Sequence, residues 1–457
     1  MTGMQTDIRE HGALPEQRVN TAAIQAAIDA AGKAGGRVFV PPGVWRTGTV
    51  WLRSGVELHL CKGAQLCGTN EPADYPAWSP VEAGLVRSRR AGPRRMIGAA
   101  DCDDVAVTGP GMIDGQGGCG GQIKEAGGAE AHPQNLQFIN CSRITVRDVQ
   151  LRNSGTWMQQ YLACEQMHVH GISVWNHGNK TNDGLDVDGC RDVRISDCDI
   201  DSHDDALVFK STGPAPCRNI VVSNCRLRSN CHGLKFGTES VGGFENVRVS
   251  NIIISPSRKP SPLPDHPHGR PVITGCALEC VDGGTMRHVH VDGLIVEHVF
   301  APIFIKLGNR HDRRLEEAQA PEGVIEDVSI SNLHARQAGP ITSSITGYPG
   351  HPIRRVRLSN ISMELYGGMT AAQALSEVPE RSDAYPEVNM YTRGTDMQLP
   401  ASALYLRHVE HITLRDVSLH LLARDARPPI LADDVEGVSI AGVRCGALAD
   451  DTCIARR

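Results

Sequence analysis

From Cys141 onward the chain repeats one short phrase: a polar or small residue, then Val or Ile (Met in one copy), any residue, then a second β-branched or Leu residue. It occurs as Arg143-Ile-Thr-Val, Gln166-Met-His-Val, Asp192-Val-Arg-Ile, Asn219-Ile-Val-Val, Asn246-Val-Arg-Val and His288-Val-His-Val, then as Asp327-Val-Ser-Ile, Arg355-Val-Arg-Leu, His411-Ile-Thr-Leu and Gly437-Val-Ser-Ile. Apolar and polar positions alternate within each copy, the period-two signature of a strand with one buried face. Aligned on the phrase, the copies start at Cys141, Cys164, Cys190, Cys217, Phe244, Met286, Ile325, Ile353, Val409 and Val435. Their spacing is 23 to 28 residues, except for three longer intervals of 42, 39 and 56. One coil per repeat, with loops inserted in the longer copies, fits that spacing.

Short strands that recur without intervening helices predict an all-β parallel β-helix and not βαβ units. Each coil buries its apolar face only against the coils above and below it. A leucine-rich repeat is the main rival, but its Leu-x-x-Leu-x-Leu pattern is missing. A solenoid grows in one dimension, so all 457 residues are expected to form a single domain. The N-terminal stretch departs from the pattern. Asn20 or Thr21 is placed to cap a helix running through Ala34 and closed by Gly35-Gly36, spanning 20–36 with its cap and closing glycines. Such a helix would lie across the end of the coil and cover an exposed strand edge. Arg37-Val-Phe-Val then begins the strands, and Pro41-Pro-Gly forms a turn.

Composition narrows the classes. A net charge of −6 offers no basic surface for nucleic acid. No run of about 18 apolar residues predicts a membrane span. The opening Met-Thr-Gly-Met-Gln-Thr does not resemble a secretion signal, which leaves a cytoplasmic protein and a secreted one without its signal both open. Aromatics make up only 4%, as expected for a core of stacked Val, Ile, Leu and Cys. Of the 15 cysteines, Cys141, Cys164, Cys190 and Cys217 all open a copy, and Cys198 and Cys225 fall at a second equivalent position. That column behaviour predicts small buried core residues before a disulfide scaffold or a zinc site. Cys276-x3-Cys280 is an isolated pair without matching partners.

The candidate chemistry lies in three segments at repeat spacing: Thr181-Asn-Asp-Gly-Leu-Asp186, Asp201-Ser-His-Asp-Asp-Ala-Leu207 and Cys231-His-Gly-Leu-Lys-Phe-Gly237. In one register, Asp183, Asp205 and His232 form a ladder with Asp204 to one side, and Lys306 falls in the column of Asp186 and Lys235. Carboxyls on adjacent rungs, about 4.8 Å apart, raise one another's pKa, so one can stay protonated while its neighbours ionise. Acid-plus-base cleavage of a glycosidic bond needs that division. The rung spacing alone is compatible with both inverting and retaining separations. As isolated features, paired aspartates before a strand are ordinary turn residues; the shared register is what points to a site.

Between about Asp7 and His420 the chain resembles the polygalacturonases of glycoside hydrolase family 28, which are right-handed, single-stranded parallel β-helices. The matching segments are Thr181-Asn-Asp183, His203-Asp-Asp205, Cys231-His-Gly233 and Phe304-Ile-Lys306, supported by Gly111-Met-Ile-Asp-Gly-Gln-Gly117. The resemblance implies hydrolysis of a pectin-type, galacturonate-containing poly- or oligosaccharide by single displacement with inversion. It casts Asp204 as general acid, Asp183 and Asp205 as the pair that positions and deprotonates water, His232 as the group holding the acid's protonation state, and Lys306 as a sugar-binding cation. It implies no metal and no organic cofactor. Where the family has an arginine two residues before the lysine, this chain has Phe304, which removes a bidentate grip on a uronate carboxylate. Lys235 and Arg310 are the candidates to supply that charge, with Asp186 beside them. Thr181, His203 and Cys231 also depart from the family's Asn, Gly and Gly.

Three inserts, 256–271, 309–324 and 366–400, interrupt the coils. The first and last leave at the turn leading into the candidate segment, so they are expected to wall a cleft and to favour chain ends or short oligosaccharides. Asp265-His-Pro-His268 reads as a polar loop before a metal site. Two other functions stay open: a polysaccharide lyase on the same fold, which would need calcium and a base, and a non-catalytic carbohydrate-binding β-helix.

Overall fold

The computed structural model describes residues 4–84, 92–117, 132–259, 271–310 and 322–457. Among these residues nearly all regular structure is parallel strand, with one α-helix. The fold is the parallel β-helix that the alternation predicts. The chain divides into two compact units, Met1–Val208 with Arg218–Arg226, and Phe209–Cys217 with Leu227–Arg457.

In the first unit the phrases stack in register. Ile144 pairs with Met167, Met167 with Val193 and Val193 with Ile220; two residues on, Val146, Val169, Ile195 and Val222 form the companion column. Both columns are buried, whereas the intervening Thr145, His168, Arg194 and Val221 face outward. The second unit repeats the arrangement through Val247, Val289, Val328 and Val356, and through Val249, Val291, Ile330, Leu358 and Leu414.

The polar residue that opens each phrase has a geometric role. Arg143, Gln166, Asp192 and Asn219 adopt left-handed φ of 52° to 58°. This region is disfavoured for L-residues and is best tolerated by Asn and Asp. The kink separates the start of a copy from its strand and turns the next apolar residue inward. Neighbouring kinks also bond to one another: Asn219 Nδ2 donates to Asp192 Oδ1 at 3.0 Å.

The cysteine column is core, as expected. Cys190 Sγ accepts from the Cys164 amide at 3.4 Å, and the Cys164 thiol donates to the Phe138 carbonyl at 3.3 Å. In the second unit, burial pushes the thiols of Cys276 and Cys280 up to about 12, which keeps them neutral at ordinary pH.

The helix differs from expectation at both ends. It runs Thr21–Gly32, and Asn20 stands at the cap position without capping, because its side-chain oxygen accepts from the Leu14 amide instead. Gly35 belongs to the turn beyond the helix, with φ of 72°, and Gly36 already lies in the strand Gly36–Val40. An unexpected outer strand, Met4–Asp7, pairs with that strand from Met4 opposite Gly36. The helix does cover an edge: Gln25 donates to the Trp51 carbonyl at 2.9 Å and accepts from the Trp51 amide at 2.7 Å. One side-chain amide thus stands in for the next rung.

The inserts 256–271 and 309–324 lie largely outside the described residues, as does Asp265–His268; the insert 366–400 is described throughout.

The column predicts its own sensitivity. Ile195→Ala should destabilise by about 2–5 kcal/mol, whereas the outward Val221→Ala should stay within about 0.5 kcal/mol. Urea midpoints of the two variants check this, and equal effects would contradict the inward and outward assignment.

Candidate active site

In the first unit, three carboxylates are assembled by one pair of turns. The Gly184 amide donates to the Asp205 carbonyl at 2.8 Å and the Leu185 amide to the Ala206 carbonyl at 3.0 Å. These bonds set Asp183 opposite Asp205 on adjacent rungs, the register expected from the sequence. Asp183 and Asp205 are 3% and 4% exposed, while Asp204 beside them is half-buried and the most accessible of the three. The Asp204 carboxylate also accepts the Asp205 amide at 3.0 Å, which ties its orientation to the turn.

The turn that presents Asp183 is held by amide side chains. Asn182 Nδ2 donates to the carbonyls of Ser154 and Thr156 and to Asn176 Oδ1, and Asn176 Nδ2 donates to the Asp183 carbonyl at 2.7 Å. Gly184 is required by close approach. A β-carbon there would stand 2.3 Å from Ile200 Cγ2 and 2.5 Å from the Ala206 carbonyl oxygen.

Asp186 was expected beside the substrate-binding cations. It is fully buried, with both carboxylate oxygens shut off from solvent, and its Cα faces Gln160 on the next rung. The sequence reading also missed a buried pair, His177 Nε2 and Asp201 Oδ1 at 2.9 Å, with the Trp175 ring 4.5 Å from the imidazole. Trp175 and Asp201 are register partners, so the signal was present as a polar position at coil spacing.

The second unit carries His232, Lys235, Phe304, Lys306 and Arg310. Register corrects the expected column here. Lys235 pairs with Ala277 and Ala277 with Phe304, while Lys306 pairs with Glu279. A whole rung, Val272–Cys280, stands between the His232 strand and the Phe304 strand. The insert that precedes it hides it from the repeat alignment, and Lys306 is therefore two positions out of the Lys235 column.

The long insert folds back onto these strands. Val378, Val388, Met390, Tyr391 and Leu399 pack with Ala277, Ala301, Phe304, Tyr405 and Leu431 in one apolar cluster. Phe304 is what a strand face covered by such a cluster demands. Beside it, Lys306 is 1% exposed; its Nζ donates to Tyr391 Oη at 3.0 Å and reaches the Gly347 carbonyl at 3.4 Å. Tyr391 in turn donates to Thr346 Oγ1 at 2.9 Å. Arg310 is also engaged, since Nε and Nη2 grip both oxygens of Asp282 at 3.0 and 2.5 Å, and its guanidinium lies 5.6 Å from the Tyr385 ring centre. Lys306 and Arg310, both expected as substrate-binding cations, thus each make hydrogen bonds within the fold.

His232 is buried, and Glu387 from the insert places Oε2 3.8 Å from its Nε2. Tyr385, two residues earlier, accepts from Thr238 Oγ1 at 3.1 Å. Lys235 pulls the Tyr385 phenol down, but desolvation and the carboxylates of Glu279 and Glu387 outweigh it and raise it to about 12. Neither Glu387 nor Tyr385 was singled out from the sequence. No repeat phrase marks them, because an insert has no register.

The chain belongs to the glycosyl hydrolases of family 28, whose family model matches residues 80–382. It is 31% identical over 209 residues to a probable polygalacturonase from Vitis vinifera, covering 43% of this chain and 42% of that protein. It is 38% identical over 120 residues to an exo-poly-alpha-D-galacturonosidase from Dickeya chrysanthemi, covering 24% of this chain and 19% of that one. The chain thus spans less than half the length of these relatives. Its fold is shared with an exopolygalacturonase from Thermotoga maritima, at a TM-score of 0.65 and 21% identity over 91% of both chains.

The Tyr391–Lys306 contact makes a direct prediction. Tyr391→Phe removes the phenolic partner of a buried ammonium and should cost about 1–3 kcal/mol. Thermal or urea unfolding measures the loss; an unchanged midpoint would show that Lys306 does not depend on the loop.

Proposed function

We propose that this protein hydrolyses glycosidic bonds in a pectin-type, galacturonate-containing polysaccharide or its oligosaccharides by a single displacement with inversion. The observation that carries the reading is the pairing of Asp183 and Asp205 on adjacent rungs with the more accessible Asp204 beside them. Membership of the family supports reading those positions as an acid and a base.

In this reading Asp204 delivers a proton to the leaving glycosidic oxygen, since among the three carboxyls it is the one that solvent reaches best. Asp183 and Asp205 orient a water and accept its proton as the oxygen attacks the anomeric carbon. Two buried carboxyls on neighbouring rungs resist ionising together, so the cluster can hold one proton for the acid step and keep a base for the water. Attack and departure on opposite faces of the sugar invert the anomeric centre.

The packed insert 366–400 supports action at chain ends, because a loop folded onto the coil bounds the surface on which a long polymer could lie. One relative bears an exo-acting name.

Asp204→Asn should lower kcat by about a hundred- to ten-thousand-fold while the protein stays folded by circular dichroism. Proton NMR of fresh digests should show products of inverted configuration, with no ultraviolet absorbance from unsaturated uronides. Retained configuration, unsaturated products or an active Asp204→Asn protein would each overturn the mechanism. Random internal fragments early in a polymer digest would overturn action at chain ends.

A further inference from the structure

We infer that His177 is a positioning residue: held by Asp201, it ties the turn that carries Asp183 to the turn that carries Asp204 and sets how the acid stands to the base. The inference rests on the hydrolase reading above and gives a role to a buried pair that the mechanism leaves unused.

The pair is fixed in place. His177 Nε2 and Asp201 Oδ1 meet at 2.9 Å, and their side chains are 1% and 0% exposed. A carboxylate sealed from water to that degree is costly unless it is bonded, so the two groups hold one another. The strands Ser173–Asn176 and Asp199–Ser202 run side by side, with Asn176 opposite Ser202. His177 is the first residue beyond the earlier strand, and its imidazole reaches diagonally across the rung to Asp201.

From there the imidazole meets the acid's turn twice. Asp201 stands three residues before Asp204. His203, immediately before Asp204, presents its ring to His177 edge-on, with centres 6.4 Å apart and planes at 86°. The resemblance expects Gly at 203, so this ring contact is a feature of the present chain. Trp175 packs on the same imidazole with centres 4.5 Å apart. The backbones are tied as well: the His203 amide donates to the Asn176 carbonyl at 2.8 Å, and the Asp204 amide to the Asn182 carbonyl at 3.2 Å. Asn176, beside His177, is the residue whose side chain holds the Asp183 carbonyl. A shift of His177 therefore reaches Asp204 through Asp201 and His203, and Asp183 through Asn176. Acid and base work only when held within about 0.5 Å of their productive places.

Initial rates on oligogalacturonides, taken well below each variant's unfolding temperature, test this. Asp201→Ala should lower kcat by about a hundredfold with KM kept within about twofold, the pattern of a fault felt in the transition state. Asp201→Asn still offers an oxygen to His177 and should recover most of that loss. His177→Gln keeps an amide donor without the ring and should lower kcat by at least about tenfold; it decides the matter if Asp201→Ala does not fold. Folded variants with unchanged kcat, a loss carried by KM, or an Asp201→Asn protein as impaired as Asp201→Ala would overturn the inference. A second readout needs no turnover. The carboxyl-carbon NMR signal of Asp204, identified by its loss in Asp204→Asn, should move in His177→Gln and stay near its native place in Asp201→Asn. A signal unmoved by His177→Gln would sink the positioning role. A signal that moves, in a protein whose unmodified form hydrolyses nothing, would sustain the positioning role and sink the hydrolase reading alone.

Discussion

Backbone hydrogen bonding between successive rungs is the constraint on which everything else depends. A rung repeats every 4.8 Å or so, and each amide that donates to the rung beside it also fixes which side chains become neighbours. The bonds from Gly184 and Leu185 to Asp205 and Ala206 illustrate this. They are ordinary ladder bonds, yet they bring two aspartates more than twenty positions apart in sequence to adjacent places. Gly184 allows the rungs to close where a β-carbon would collide with Ile200 and Ala206. The carboxylate cluster is therefore a consequence of register, and the amide clamps of Asn176 and Asn182 keep the turn from relaxing out of it.

A coil also has faces to cover, and the insert 366–400 covers one of them in the second unit. Its apolar residues meet Phe304 and Tyr405 on the strands, and its tyrosine meets Lys306. A buried ammonium is tolerated only if its hydrogen bonds are made, because an unsatisfied buried charge costs several kcal/mol. Lys306 and Tyr391 consequently depend on one another. The same folding-back brings Glu387 to His232, so packing and chemistry in this unit are set by one loop.

Much of the fold was legible because a solenoid writes its structure locally. Val193, Ile195, Ile220 and Val222 declare their inward face by period two, and the kinks at Asp192 and Asn219 declare themselves by residue type. The Asp183–Asp205 register was legible for the same reason. What failed did so where an insert intervened. The rung Val272–Cys280 follows residues that carry no repeat phrase, so the alignment passed over it and set Lys306 in the wrong column. Tyr391 lies 85 residues from Lys306, and no periodicity relates them. Asp186 turns inward: in a strand leaving a turn, one residue decides whether a carboxylate faces solvent or the coil.

These failures share a cause with the site's individuality. Register sets the carboxylates side by side. Inserts escape register, so their packing against a strand face is not written in the repeat. In this chain Phe304 stands on the strand where the resemblance expects a cation, and the insert 366–400 covers it, encloses Lys306 and brings Glu387 to His232. A substitution within the coil and the loop that covers it must therefore change together. Restoring an arginine at 304 without removing the apolar face of the insert would bury an unpaired guanidinium. The packing of this face is set by strand and loop together, and neither alone is sufficient to read it.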